Sequence, residues 1–255
     1  MPKYPVPKYG DMKGESARSE TISEKYDRYW RSRLESGRSA REARALERAR
    51  LAEELLAAAG TRSGKLLDVG CGPGVAARYF ADLGYKVVAV DVSQVAVGEA
   101  AALGVEAHVV DLSRPALPEG PFDVVLVLEV LEHLAEPLQL LLRLKEILAG
   151  GGKLVVSLPN EFNAAYRLAI LFGFEPFGGY DDPHLHHFGY RSARRLLTEA
   201  GLKIEGMRCA GLLPPRLRPF AFLSRCTANV WPSVFALSFV FCTTPHGKPA
   251  GRTGR

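Results

Sequence analysis

Cysteine is scarce and scattered in this sequence. Its four cysteines, Cys71, Cys209, Cys226 and Cys242, form no CxxC pair and no other metal-ligand spacing. That pattern argues against a zinc module or a disulfide framework and suits reduced thiols in the cytoplasm. Long apolar runs are also missing. The nearest candidate, Val230 to Phe241, is too short to span a bilayer and contains Pro232. The opening MPKYPVPKYG has no apolar core of the kind a signal peptide needs. The expectation is a cytoplasmic protein with no integral membrane segment. Nor is there a lysine-rich block. The net charge of +5 is mild, and arginines alternate with glutamates in the N-terminal third, so nucleic acid is not an expected partner. No internal repeat occurs.

What is present is enough apolar material for a substantial core: 47% hydrophobic residues in 255, sufficient for one large domain or a domain with an added cap. The chain is organised around Lys65-Leu-Leu-Asp-Val-Gly-Cys-Gly-Pro-Gly74. Leu66 to Val69 is short and apolar without alternation, as in a strand covered on both faces. Gly70, Gly72 and Gly74 follow at every second position, where glycine permits positive φ and close approach of a ligand. Val75 to Leu83 has helical spacing and stops at Gly84. Strand, glycine turn and helix N-terminus in that order make a nucleotide-binding device; the bland alternative is a tight turn of some other α/β protein.

Around this stretch, residues 1–20 are expected to lack fixed structure, residues 21–60 to form N-terminal helices, 61–244 the main domain with an insert at 161–190, and 245–255 an unstructured tail. The second N-terminal helix opens at Ser39 with Glu42 in a capping box. Its apolar stripe runs from Ala43 to Ala59, and its charged face, with Arg41, Arg44, Glu47 and Arg48, reads as solvated. Further strands are expected at Lys86–Val90, Val105–Val110, Phe122–Leu128 and Lys153–Leu158, alternating with helices at Ser93–Leu103 and Leu138–Leu148. Such alternation predicts an α/β, Rossmann-like parallel sheet with right-handed crossovers. Helices at Glu161–Phe172 and Ser192–Ala200 come next. Strands at Leu202–Cys209 and Phe235–Thr243 follow, joined by a Pro- and Arg-rich connection. Asp68, Asp91, Asp111 and Glu129 all fall at strand C-terminal ends, where open α/β sheets bind ligands.

Glycine spacing selects among nucleotides. Val75 occupies the sixth position of the dinucleotide fingerprint, which disfavours an NAD-dependent oxidoreductase, and no Lys-Ser/Thr pair completes a Walker motif. The run Asp68 to Gly74 resembles the first motif of class I S-adenosylmethionine-dependent methyltransferases. That resemblance implies a seven-stranded, mostly parallel sheet with an antiparallel terminal strand and a helical cap. It implies that Gly70, Cys71, Gly72 and Gly74 hold the amino-acid end of S-adenosylmethionine, and that Asp68 binds its ammonium. Asp91, followed by Val92, is placed to accept the ribose hydroxyls, or to share an N-cap with Ser93. Asp111 would bond the adenine amino group with the Leu112 amide on a ring nitrogen, or form an Asx turn.

Leu128-Glu-Val-Leu-Glu-His-Leu134 resembles the corresponding segment of ubiquinone-biosynthesis O-methyltransferases, which implies that Leu128 and Glu129 approach the methionine part of the cofactor. His133 would lie near the mouth, with the right ordinary pKa for a general base, or serve as a hydrogen-bonded structural histidine. Ser157 to Asn160, Asp182-Pro-His-Leu-His186 and Ala102 to His108 are similar to MetW-like methionine-biosynthesis proteins. The resemblance covers about residues 64 to 206; Ala149-Gly150 stands where the family has a proline.

His184, His186 and His187 with Asp181 and Asp182 suggest either a metal site or a lid. The resemblance supplies no metal, so His184 and His186 are taken as substrate-facing, with a structural role as the alternative. Tyr29, with Tyr26 and Trp30 on a first helix from Thr21 to about Leu34, either covers the cofactor or substrate or packs that helix onto the core. The expected function is methyl transfer to a small-molecule acceptor, an oxygen being favoured. The alternative is a MetW-like cofactor-binding partner of a homoserine acyltransferase without its own methyl transfer. A peripheral membrane enzyme, docking through Phe220–Leu223 and Trp231–Phe241, is a further reading.

Overall fold

The computed structural model describes residues 20–35, 39–114, 116–176, 183–211 and 218–246, with the side chains of 39–40 and 218–222 outside that set. The expectations for residues 1–19 and 247–255, for the Ser39 side chain, and for Asp181 and Asp182 therefore fall outside the described residues.

Seven strands form one sheet: β1 (Lys65–Val69), β2 (Lys86–Asp91), β3 (Glu106–Val109), β4 (Phe122–Leu128), β5 (Leu148–Pro159), β6 (Leu202–Gly211) and β7 (Ala236–Pro245). Their order is β3-β2-β1-β4-β5-β7-β6. The first five are parallel. β7 lies antiparallel between β5 and β6, as the sequence reading anticipated. Because β1 is flanked by both β2 and β4, the chain reverses its direction of winding there. A crevice at the C-terminal ends of β1 and β4 follows from that topology.

Alternation along the strands splits the core in two. Leu66, Val124, Leu126 and Val240 pack on one face with Leu51, Leu55, Leu56 and Phe80 from α2 (Ser39–Ala58) and α3 (Val75–Asp82). Leu67, Val125, Val127 and Phe241 pack on the other with Leu140, Leu141, Leu144 and Leu197 from α5 (Pro137–Glu146) and α7 (Tyr190–Glu199). Burying each such side chain contributes about 1.5–3 kcal/mol. α2 is thus part of the core rather than a detached cap.

α1 (Ile22–Glu35) buries no residue fully. Polar bonds tie it instead to the start of α4 (Gln94–Ala102). Ser23 Oγ donates to the Val92 carbonyl at 3.0 Å. Asp27 Oδ1 accepts from Ser93 Oγ at 2.5 Å and from the Val95 amide at 3.2 Å. A carboxylate at a helix N-terminus suits both the free amides and the dipole.

Three sequence expectations need correction. β5 begins at Leu148, where Leu148 pairs with Phe122, and a register irregularity follows between Phe122 and Val124. α5 therefore ends at Glu146, short of Leu148, and the strand starts five residues before Lys153. Gly150-Gly-Gly152 hides it, since glycine carries no strand signal. The connection between β6 and β7 is not merely irregular: it contains α8 (Arg218–Val230) and the short α9 (Pro232–Phe235). Pro219 and Pro232 read as breakers in sequence, but each stands in the first turn of a helix, where its missing N–H costs nothing. The remaining helix, α6 (Ala164–Leu171), starts later than Glu161 because Asn163 Oδ1 caps it through the Ala165 and Tyr166 amides.

Candidate active site

A cavity of about 430 Å³ opens at the predicted crevice. Its lining includes Asp68, Gly70, Cys71, Gly72, Asp91, Val92, Asp111, Leu112, Leu128, Glu129, His133, His184 and Tyr29. Two of the residues assigned in the sequence to cofactor or substrate, Gly74 and His186, do not line it. Gly74 is the left-handed N-cap of α3, and a Cβ there would lie 2.8 Å from Ala100 Cα; it lets α3 pack on α4. His186 is half-buried and turned elsewhere, with Nε2 3.3 Å from the Ala135 carbonyl.

The turn after β1 is built around glycine. Gly70 and Gly72 have φ of 69° and 53°. A Cβ on Gly70 would come 2.5 Å from Val130 Cγ2, and one on Gly72 would come 2.8 Å from Trp30 Cζ2. Trp30 of α1 thus closes directly over the turn. The Gly70 and Cys71 amides both donate to the Val90 carbonyl, at 2.8 and 3.0 Å. Asp91 Oδ2 accepts the Gly72 amide and Asp91 Oδ1 the Ser93 amide, each at 2.9 Å. Ser93, not Asp91, caps α4, its Oγ accepting the Ala96 amide at 3.2 Å. Burial raises the Asp91 pKa, against the pull of these amide bonds.

Asp68 is 2% exposed, and its Oδ2 has no hydrogen-bond partner among the described residues. Burial, reinforced by the neighbouring charge of Asp91, pushes its carboxyl up to about 7. A carboxylate held this way is short of a cation. Asp111 accepts from the Ser113 amide at 3.0 Å and Ser113 Oγ at 2.6 Å, and pairs with Arg114 Nε at 3.2 Å. The Asx turn is therefore present, and Asp111 lines the cavity as well. Burial opposes its ionisation, but these bonds hold its pKa below the ordinary value.

Glu129 has a left-handed φ of 58°, rare for a side chain and costing about 1–2 kcal/mol. Ser157 Oγ donates to its Oε1 at 2.8 Å, and Arg48 Nη1 lies 3.9 Å from its Oε2. The strained backbone thus falls at the end of a central strand, on the cavity wall.

Histidines and carboxylates gather at the mouth. His133 Nδ1 lies 3.1 Å from the Pro183 carbonyl, which can only accept, so Nδ1 carries the hydrogen. Burial lowers the His133 pKa, although the Pro183 bond works the other way. His184 packs 4.8 Å from His133, centroid to centroid. Glu161, 4% exposed, faces two imidazoles: His184 Nδ1 at 2.5 Å and His187 Nδ1 at 2.8 Å. The donor atoms of Glu161, His184 and His187 lie within 4.8 Å of one another, as do those of Glu132, His133 and His184. Hydrogen bonds already account for the first group. In the second, burial and Glu129 raise the Glu132 pKa well above the carboxylate range, favouring its neutral form.

Sequence reasoning missed two contributors. Glu161 was read as the start of a helix, not as a buried partner of two histidines. The charged face of α2 was assigned to solvent, yet Arg41, Arg44 and Arg48 line the cavity beside Arg33 of α1. A helical face can meet a crevice as readily as water, and periodicity alone does not distinguish them.

Residues 40–206 match the methyltransferase domain family. A ubiquinone biosynthesis O-methyltransferase of Caulobacter sp. (strain K31) is 40% identical over 112 residues, 41% of this chain and 44% of that protein. The match thus spans less than half the length of that relative. One from Xanthomonas euvesicatoria pv. vesicatoria is 32% identical over 174 residues, covering 64% of this chain and 72% of that protein. The fold is shared with magnesium protoporphyrin IX methyltransferase of Synechocystis PCC 6803 bound to S-adenosylhomocysteine (TM-score 0.63, 18% identity, 88% and 98% of the two chains covered). It is shared also with a methyltransferase of Thermotoga maritima (TM-score 0.60, 18% identity, 85% and 97% covered). The cavity at the glycine turn and these likenesses point the same way: the chain belongs to the class I S-adenosylmethionine-dependent methyltransferases.

Proposed function

We propose that this enzyme methylates a hydroxyl group of a small-molecule acceptor, with His133 as general base. The observation that carries the reading is the state of His133: it lines the cavity with Nδ1–H committed to the Pro183 carbonyl, which leaves Nε2 as the basic nitrogen of a neutral ring. Its lowered pKa keeps it neutral at pH 7, as a base must be. The named O-methyltransferase relatives support oxygen as the acceptor atom.

The residues present fit the cofactor. Asp68 Oδ2, buried and without a partner, suits the ammonium group. The turn at Gly70 and Gly72 has no room for side chains, and Leu128 and Glu129 stand at the end of the adjacent strand. Asp91 and Val92 are assigned to the ribose, and Asp111 with the Leu112 amide to the adenine. When bound, S-adenosylmethionine supplies a methyl group already activated on a positive sulfur. The chain then has three tasks. The cavity walls, including Tyr29, Trp30 and His184, exclude water and align the acceptor; alignment alone is worth about 7–11 kcal/mol. Glu161 fixes the His184 ring. His133 Nε2 would take the proton of the acceptor hydroxyl, contributing about 10²–10⁴-fold.

The test is calorimetric titration with S-adenosylhomocysteine, followed by labelled-methyl transfer to catechol and to an aryl amine. Binding with transfer to catechol supports the reading. Binding with transfer to the amine alone removes the oxygen acceptor and the base with it.

A further inference from the structure

Four arginines face the cavity, Arg33 from α1 and Arg41, Arg44 and Arg48 from α2. The acids assigned to the cofactor, Asp68, Asp91 and Asp111, come instead from the ends of β1, β2 and the segment after β3. The site is therefore divided by charge. Arg44 Nη1 and Arg48 Nε are buried N–H groups with no hydrogen-bond partner among the described residues. Arg48 leans on Glu129, 3.9 Å away. Glu42 lines the same wall, and Glu47 balances part of the Arg44 charge: burial raises the Glu47 carboxyl, while Arg44 pulls it down. Even so, these two guanidinium N–H groups keep no acceptor among the described residues. A guanidinium donor closed off from water without an acceptor is costly, and an anion in the cavity removes that cost. Tyr26, Tyr29 and Trp30 line the neighbouring wall and meet edge to face, with centroids 5.2–5.9 Å apart.

We propose that Arg44, with Arg41 beside it, receives a carboxylate or phosphate group on the methyl acceptor, so that the acceptor carries an anionic group. This rests on the methyltransferase reading above and adds the class of acceptor. The cofactor's own carboxylate is the competing anion, so the test is made on protein saturated with S-adenosylhomocysteine.

Binding of 4-hydroxybenzoate, phenyl phosphate and the neutral 4-hydroxybenzamide is measured by calorimetry on that complex. At least one anion binds about tenfold tighter than the amide, as expected for a charge-assisted hydrogen bond; which anion wins separates carboxylate from phosphate. Arg44→Gln abolishes the preference and Arg44→Lys restores part of it, while affinity for S-adenosylhomocysteine changes by less than about threefold. Arg41→Gln, at an exposed position, weakens the preference, although it also gives up the Arg41 Nη1 bond to the Arg33 carbonyl. Equal binding of the three probes, or none, overturns the proposal. So does a loss of S-adenosylhomocysteine affinity in Arg44→Gln with the anion preference retained, which places Arg44 on the cofactor. Failure of wild-type protein to bind S-adenosylhomocysteine at all is a different result and strikes the cofactor reading itself.

Discussion

Asp91 Oδ2 accepts the Gly72 amide at 2.9 Å, so the end of β2 holds the glycine turn of β1 in shape. Asp91 thus combines a structural role with the ribose contact assigned to it, and the two can be separated. At 100 times its Kd, S-adenosylhomocysteine adds about 2.7 kcal/mol, or about 5–10 °C in melting temperature at this size. Asp91→Ala is expected to lose that shift. It also orphans the Gly72 and Ser93 amides, lowering unliganded stability by about 1–3 kcal/mol. Asp91→Asn, whose carbonyl can accept one of the two amides, should keep more stability while still losing most of the ligand shift. A full ligand shift in both variants removes Asp91 from the cofactor site.

Trp30 closes over Gly72, where a Cβ would stand 2.8 Å from Cζ2. Gly72→Ala therefore meets two obstacles, the ring and a φ of 53°, the second worth about 1–2 kcal/mol. Trp30→Ala removes only the first. The double variant should be less destabilised than the sum of the singles, by about 0.5–3 kcal/mol for directly touching residues. Strict additivity in a chemical-denaturation cycle would show that α1 does not press on the turn in solution.

The Asp68 carboxyl, pushed up to about 7 from an ordinary 3.8, gives the cofactor site a pH dependence. In unliganded protein the folded state holds this proton more tightly than the unfolded state. Stability from this group therefore falls as pH rises from about 4 to about 7. Binding of a ligand ammonium has the opposite sign, because it needs the ionised carboxylate. Affinity for S-adenosylhomocysteine should rise towards about tenfold per unit between pH 5.5 and 7 and then level off, with a proton released on binding. Calorimetry in two buffers of different ionisation enthalpy reads that proton directly. In Asp68→Asn the affinity should be weak and nearly flat across this range; a slope retained there moves the titration to Asp91, whose carboxyl burial also raises.

Much of this architecture is legible in the chain itself. β4 has the bounds that its apolar run announces, and β1, β2 and their helices begin and end within a residue or two of the glycine and aspartate signals. The strand-end acids converge because topology requires it, so Asp68, Asp91, Asp111 and Glu129 could be named without coordinates. What escaped was whatever depends on contacts distant in sequence. The Gly150–Gly152 start of β5 has no strand signal and exists only because Phe122 pairs with Leu148. The arginine face of α2 resembles any solvated helix until the crevice it borders is known. His186 and His184 differ by two positions, and only the path of the loop sends one to the cavity and the other to the Ala135 carbonyl.

His133 carries the most direct test of the chemistry. The acceptor proton passes only to the neutral ring, so the rate of hydroxyl methylation should rise with pH and level off above a pKa below the ordinary 6.5, the direction in which burial moves this imidazole. His133→Asn retains an amide that can donate to the Pro183 carbonyl but has no base, and should lower kcat by about 10²–10⁴-fold. With S-adenosylhomocysteine affinity unchanged, the loss belongs to proton transfer rather than to cofactor binding. The acidic limb of the pH–rate profile should vanish with it. His184 lies 4.8 Å from His133 and is the natural rival. If the limb survives in His133→Asn and disappears in His184→Asn, the base is His184, and Glu161, 2.5 Å from its Nδ1, becomes the group that orients it.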